Sequence, residues 1–109
     1  MSVASDIRRA VIPFGYPVAQ NSYTGMEKTY FVFYINTFPA DFADDMPQHE
    51  RQLVQLHLFA PLTLNTTELQ REVERALFGS GFTWPVKENA SDDTAQHIVF
   101  ECEAAEGVN

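Results

Sequence analysis

Two long apolar segments, separated by a polar connection, decide the fold of this chain. The first reads Thr29-Tyr-Phe-Val-Phe-Tyr-Ile-Asn-Thr37 and the second reads Arg51-Gln-Leu-Val-Gln-Leu-His-Leu-Phe59. Aromatic and aliphatic residues dominate both segments, which predicts two β-strands. Alternation makes both faces of the first strand apolar, whereas the second strand has one apolar and one mixed face. A domain this small rarely covers both faces of a strand, so we expect another chain to cover one of them.

The connection between the two strands is an acidic and aromatic segment, residues 38–50. It reads Phe38-Pro-Ala-Asp-Phe-Ala-Asp-Asp-Met-Pro-Gln-His-Glu50. A hairpin that only reverses the chain uses about 2–5 residues, so the sequence predicts a long loop between the two central strands. Loops positioned by a rigid sheet commonly bind partners, and we predict that this one contacts a partner or a neighbouring subunit. The residues predicted to make that contact are Phe38, Asp41, Phe42, Asp44 and Asp45.

The flanking segments predict two helices and three further strands. Apolar residues recur with helical spacing in residues 3–11 and 69–77, and Asn65 with Glu68 has the pattern of a helix start. Residues 17–20, 82–86 and 94–103 have strand character, and residues 87–93 predict a polar turn. The predicted fold class is α+β, an antiparallel β-sheet with two helices packed on one face.

Length and composition predict a single domain, residues 1–109, that needs no disulfide or metal to fold. The chain has 15 acidic and 7 basic side chains and a formal net charge of −8, which opposes sequence-specific binding of nucleic acid. The single cysteine, Cys102, cannot form an internal disulfide, so we expect synthesis in a reducing cytoplasm. No segment approaches the roughly 18 consecutive apolar residues of a membrane helix, and no membrane partner is expected.

The sequence contains no catalytic motif, phosphate loop or dinucleotide fingerprint, so neither an enzymatic activity nor a cofactor is predicted. The carboxylates of residues 38–50 could gather a hard cation, which leaves a metal-dependent enzyme as an alternative, but their spacing matches no calcium-binding loop. His97 and Cys102 are an odd number of positions apart, so a strand places them on opposite faces and zinc binding is not predicted. We interpret His57, on the mixed strand face, as a packing or interface residue.

The aromatic content exceeds what one small core would comfortably hide. The chain has 9 phenylalanines, 4 tyrosines and 1 tryptophan, and aromatic residues are favoured anchors of protein interfaces. For any single residue, an ordinary phenylalanine-rich core is the alternative. Besides residues 38–50, the predicted interface includes Tyr30, Tyr34 and Trp84.

A series of segments along the chain resembles one family of virus proteins. The segments are Ile12-Pro-Phe-Gly-Tyr-Pro-Val18, Tyr23-Thr-Gly25, Tyr30-Phe-Val-Phe-Tyr34, Pro39-Ala-Asp-Phe-Ala-Asp-Asp45 and Leu53-Val-Gln-Leu-His-Leu58. In this order they resemble the tail-completion or tail-to-head joining proteins of long-tailed bacteriophages and prophages, which are related to tail terminators. The resemblance covers nearly the whole chain and concerns structural patterns, not catalytic ones. Family members often carry tryptophan or tyrosine with acidic residues where this chain has His57 and Phe59, so the terminator, joining and head-completion subfamilies stay open.

The resemblance implies a small α+β subunit that forms a ring, expected to be a hexamer, at the end of the phage tail tube. Such a ring terminates the tail and contacts both the major tail tube protein and the head-completion or connector protein. DNA passes through it without sequence-specific binding. The implied location is the head–tail junction of the virion, after synthesis in the host bacterial cytoplasm. The alternative function is a protein-binding module or inhibitor that docks a single phage or host partner through residues 38–50.

Overall fold

The fold is α+β, as the sequence predicts. The computed structural model describes residues 2–43 and 46–104, and for residues 40–43 and 46–49 it describes the backbone alone. Within these residues there are two α-helices and five strands. They are α1 (Val3–Val11), β1 (Val18–Gln20), β2 (Tyr30–Ala43), β3 (Met46–Ala60), α2 (Thr67–Gly79), β4 (Val86–Asn89) and β5 (Gln96–Glu103). Neither described helix is long and apolar enough to cross a membrane.

The strands form one five-stranded sheet in the order β1-β2-β3-β5-β4. The pairs β2–β3, β3–β5 and β4–β5 are antiparallel, whereas β1 runs parallel to β2. The sheet is therefore mixed and not wholly antiparallel. A tight turn after β1 would have forced an antiparallel pair, but residues 21–29 are long enough to carry the chain back to the end of the sheet at which β1 begins.

One face of the sheet packs against both helices. The inward side chains of the central strands are buried, and they are Phe31, Phe33, Val54, Leu56, Leu58, Ile98, Phe100 and Cys102. Helix α1 contributes Ile7 and Val11, and helix α2 contributes Val73 and Leu77, to the same core. The predicted helical stripes and the predicted strand alternation are confirmed, because burial follows the period of 3.6 in the helices and of 2 in the strands.

Helix α2 begins one residue later than the predicted cap. The Asn65 side chain does accept a hydrogen bond from the Thr67 amide, with 3.0 Å between Oδ1 and N, but the N-cap residue is Thr66. Thr66 is buried, and its hydroxyl donates to Oε1 of Gln96 at 2.7 Å. The Gln96 amide in turn donates to the Pro61 carbonyl at 2.7 Å. This polar contact between the helix and β5 fixes where the helix starts.

Strand β4 lies later in the chain than predicted. Of the expected strand 82–86, only Val86 belongs to β4, and Phe82 forms an isolated pairing with Ala104. The strand continues to Asn89, into the segment where a polar turn was expected. Pro85 has no amide proton to donate, so it cannot continue a ladder. Every residue of β4 is exposed. An edge strand of this kind shows no apolar alternation, which is why the sequence pattern did not indicate it.

The prediction of a long loop between the central strands is wrong, because β2 and β3 continue as paired strands through most of residues 38–50. Their antiparallel register runs from Tyr30 opposite Phe59 to Ala43 opposite Met46. Two prolines, Pro39 and Pro47, made a strand unexpected. In a two-stranded ribbon each strand has an outward edge, and a proline is tolerated there because no amide donor is required. The alternation of the register places Pro39 on the outward edge, as it does Phe31 and Phe33. Pro47, opposite Phe42, lies on the inner side of the ribbon, where it leaves one ladder hydrogen bond unmade.

The outer part of this hairpin, residues 38–43 and 46–51, forms an arm that extends beyond the rest of the sheet. The pairing of β1 with β2 ends at Phe33, and the pairing of β5 with β3 ends at Leu53. At the base of the arm the Gln52 carbonyl accepts a hydrogen bond from the Ala104 amide at 3.0 Å. Six residues of strand span about 20 Å, in keeping with overall dimensions of 54 × 24 × 23 Å. A two-stranded hairpin is only marginally stable in water by itself.

Candidate functional site

The open face, which is the sheet face that the helices do not cover, is the candidate site. Strand alternation and register place its side chains on one side of β2, β3 and β5. They are Tyr30, Val32, Tyr34, Asn36, Phe38, Arg51, Leu53, Gln55, His57, Phe59, His97, Val99, Glu101 and Glu103, of which Val32 is buried. Tyr34 and Phe38 are 38% and 47% exposed. The face therefore mixes aromatic rings with a few polar groups, and it continues from the sheet onto the base of the arm.

The residues predicted as an interface do not all lie together. Tyr30 and Tyr34 lie on the open face together, as strand alternation predicts, and Phe38, which was expected in a loop, lies on the same face at the base of the arm. Trp84 is exposed but belongs to a different patch, where its ring lies 5.5 Å from that of Phe78 near the end of α2. The side chains of Asp41 and Phe42, and all of Asp44 and Asp45, lie outside the described residues.

A row of stacked rings crosses the open face. The ring centroids of Tyr23 and Tyr30 are 4.3 Å apart, those of Tyr30 and Phe59 are 5.0 Å apart, and those of Phe59 and His97 are 4.2 Å apart. The planes of neighbouring rings differ by 29°, 21° and 20°. Tyr30 and Phe59 thus have both ring faces covered by other rings and direct their edges to solvent. Base stacking needs free ring faces and cationic surroundings, so the row favours contact with protein over nucleic acid.

A chain of polar contacts lies beside this row. Nδ1 of His57 lies 2.6 Å from Nε2 of His97, and Nε2 of His57 lies 3.3 Å from Oε1 of Gln55. The Gln55 amide nitrogen donates to Oε2 of Glu101 at 3.2 Å. The ring of Tyr34 meets that of His57 edge-on, with 5.1 Å between centroids and 79° between planes. Contacts on both sides therefore hold the His57 ring in one orientation.

The proton positions in this series of side-chain contacts follow from what each group can donate. A carboxylate only accepts, so the NH₂ group of Gln55 faces Glu101 and its oxygen faces His57. Nε2 of His57 must then carry a proton, which leaves Nδ1 of the neutral ring with a lone pair. Nε2 of His97 donates to that lone pair. When both imidazoles are neutral, each hydrogen bond in the series Glu101, Gln55, His57 and His97 therefore has one donor and one acceptor.

Burial lowers the pKa of His57 below its ordinary value of 6.5, and the neighbouring His97 lowers it further, while the negative charge of Glu101 opposes both effects. His57 is consequently neutral at neutral pH. The mixed strand pattern identified His57 as a packing or interface residue but did not pair it with His97. Only the register that sets Phe59 opposite His97 brings the two imidazoles together, and register between distant strands cannot be read from periodicity alone.

An ion pair joins the base of the arm to β5. Arg51 binds Glu103 with both ends of its guanidinium fork, at 2.7 Å from Nε to Oε1 and 2.9 Å from Nη2 to Oε2. This contact lowers the pKa of Glu103. Exposed ion pairs stabilise a fold by about 0–1 kcal/mol, so its main effect is to orient the arm relative to the sheet.

In the part of the chain that the structure describes, no group of three or more histidine, cysteine, aspartate or glutamate side chains is arranged to hold a metal ion. Of the acidic side chains considered as a cation site, those of Asp41, Asp44 and Asp45 lie outside that part, whereas Glu50 lies within it and is exposed. Cys102 is buried on the opposite face from the histidines, as the strand alternation predicts.

Comparisons with known proteins add information on the fold alone. No protein-family model matches the chain, and no curated protein matches its sequence. One solved structure of similar fold covers 93% of this chain and 90% of its own, with a TM-score of 0.61 and 11% sequence identity. Its name states no function, and at this identity the likeness supports the α+β architecture and nothing further.

Proposed function

We propose that the protein is a structural virion subunit that forms a ring, expected to be a hexamer, at the end of a phage tail tube. The ring terminates the tail, joins it to the head connector and allows DNA to pass. The sequence resemblance to tail-completion proteins supplies the biological setting. The observation that carries the proposal in the structure is the arm, because contact with a neighbour would stabilise a projecting two-stranded hairpin.

The arm has strand edges at which another chain can pair. Among the described residues, the strand pairs of the arm are those of the hairpin itself. A hairpin that projects into water is marginal, and its edges can hydrogen-bond to another chain. Head-to-tail contact between identical subunits closes into a ring when the rotation is right. The arm of one subunit then packs on the next.

The open face supplies apolar contacts next to the arm. Tyr34 and Phe38 are exposed aromatic side chains on one continuous surface, and aromatic anchors at the centre of an interface contribute most of its binding energy. Covering this surface explains why both faces of β2 are apolar in a chain of 109 residues.

The charge of the chain suits a passage for DNA. A formal net charge of −8 leaves few cations to neutralise phosphates, and phosphate neutralisation is what holds DNA to a protein surface. A ring of such subunits lets the duplex slide through.

The proposal is tested by locating the protein and by removing the arm. We expect light scattering and negative-stain microscopy to show rings on purified tail tubes, and labelled antibodies to mark the head–tail junction of virions. A variant with residues 38–51 replaced by Asn-Gly, a two-residue hairpin turn, should stay folded and form no ring. The control is Leu62→Ala, which removes an exposed apolar side chain away from the arm and should leave rings intact.

The alternative function, docking of one phage or host protein through residues 38–50, uses the same arm and gives different results. A one-to-one complex with that protein, together with absence of the chain from purified particles, would establish the alternative and exclude the ring.

A further inference from the structure

We propose that the His57–His97 pair on the open face is a binding site for a divalent transition-metal ion that prefers imidazole, namely Zn²⁺, Ni²⁺ or Cu²⁺. The site goes beyond the ring function and does not depend on it. The two imidazoles come from adjacent strands, β3 and β5, and their nearest ring nitrogens are 2.6 Å apart.

The geometry of the pair is close to that of a two-histidine metal site. Zinc binds imidazole nitrogen at about 2.0–2.1 Å with tetrahedral geometry, so two nitrogens on one ion are about 3.3 Å apart. The two nitrogens must therefore move apart by less than about 1 Å to bind one ion. The ring of His97 is already stacked on Phe59 at 4.2 Å, and that of His57 is held by Tyr34. Little ordering of either ligand is left for metal binding to impose.

The polar contacts of Gln55 and Glu101 fix the tautomer of His57 in which Nδ1 carries the lone pair that can bind a metal. Metal-binding histidines usually donate their other ring N–H to a carbonyl or carboxylate, which fixes the tautomer and makes the ligand more basic. Nε2 of His57 donates to Gln55, and Gln55 is itself fixed by Glu101. The Nδ1 lone pair is thereby directed at the gap between the rings. Nε2 of His97 becomes the second ligand once its proton moves to the other nitrogen of the same ring, a neutral tautomer change that needs no net loss of a proton.

The class of ion follows from the ligands. Two neutral imidazoles suit Zn²⁺, Ni²⁺ and Cu²⁺, whereas Mg²⁺ and Ca²⁺ require oxygen ligands. Water completes the coordination in the isolated subunit. We expect Cu²⁺ to bind more tightly than Ni²⁺ or Zn²⁺, following the general affinity order of these ions, and acidification to weaken all three because protons compete for both rings.

The test is calorimetric titration of the untagged, full-length protein with each metal ion alone. We expect one ion per chain for Cu²⁺, Ni²⁺ and Zn²⁺ and no heat for Mg²⁺. His57→Gln and His97→Phe should abolish this binding, and the phenylalanine keeps the stack on Phe59, so circular dichroism should show an intact fold. His49→Gln removes the remaining histidine of the chain and should change nothing.

A separate variant tests the polar chain. Gln55→Leu keeps both ligands and removes the group that fixes the His57 tautomer, so the affinity should fall by about 10–100-fold. The proposal is overturned if none of the ions binds at concentrations up to about 1 mM. It is equally overturned if folded His97→Phe binds as the original protein does, or if His49→Gln abolishes binding. None of these outcomes bears on whether the subunit forms rings.

Discussion

Removing the two exposed rings at the junction of the open face and the arm is expected to weaken assembly while leaving the subunit folded. An aromatic side chain offers about 200 Å², and Tyr34 and Phe38 leave 38% and 47% of their surface exposed. Covering that remainder removes about 80–90 Å² of mainly apolar surface per residue from water. At about 25 cal/mol per Å², each ring contributes about 2 kcal/mol to a contact that buries it.

The double variant Tyr34→Ala, Phe38→Ala should therefore lose about 4 kcal/mol per subunit contact, or roughly a thousandfold in affinity. Within the subunit the cost is smaller, since the main internal ring contact that disappears is the edge-on contact of Tyr34 with His57 at 5.1 Å. Such a contact contributes about 0.5–1.5 kcal/mol, against a total stability of about 5–15 kcal/mol.

Analytical ultracentrifugation over a range of concentrations, with and without purified tail tubes, measures the effect. Thermal unfolding of the same samples checks the fold, and Leu62→Ala again serves as the control. Rings of normal size and stability from a folded double variant would show that this surface is not between subunits.

Further predictions concern the core and its titratable groups. Leu77→Asp should prevent folding, because an unpaired carboxylate in the core costs several kcal/mol, whereas Asp at the neighbouring exposed Phe78 should be tolerated; circular dichroism showing a folded Leu77→Asp protein would contradict the packing of α2. Because the pKa of His57 is lowered from 6.5 on folding, the unfolded chain binds more protons below that value, so stability should fall as the pH drops below about 6.5. His57→Gln should flatten that part of the pH profile of thermal unfolding, and an unchanged slope would argue against the burial of this ring. Burial raises the pKa of Cys102 to about 12, so a thiol reagent at about pH 8 should label it only on unfolding, and rapid labelling of the native protein would contradict this.

Periodicity makes the core predictable, because a buried stripe is a local property of each element. The period of 3.6 in residues 3–11 and the alternation around Leu56 and Phe100 identify the inward side chains from the sequence alone. Two features are not predictable in this way. The parallel pairing of β1 depends on the path of residues 21–29, and the arm depends on prolines being tolerated in a two-stranded ribbon.

The candidate site is predictable only in part, because strand alternation is a local pattern whereas the register between distant strands is not. Tyr30 and Tyr34 share a face by simple alternation, and the apolar character of both faces of β2 points to a covering partner. His57 and His97 are brought together by the register between β3 and β5. No local pattern encodes that register, since it is set by how the whole inward face packs. The polar chain from Glu101 to His97 therefore exists only in the folded protein.

Pro39, one of the two prolines that made the arm unexpected from the sequence, also explains how such an arm can exist before assembly. An exposed two-stranded ribbon is a template for indiscriminate pairing with any other strand. Pro39 removes an amide donor from the outward edge of the ribbon, and the acidic side chains of the segment 38–50 add charge that repels identical arms. Edge-to-edge association of free subunits is thereby disfavoured, whereas a surface that meets the arm with side chains is not affected. On this argument the subunits should stay dispersed in solution and close into a ring only where the end of a tail tube holds them in register. Replacing Pro39 by threonine should then cause free subunits to associate, and ultracentrifugation showing no association would remove this explanation for the proline.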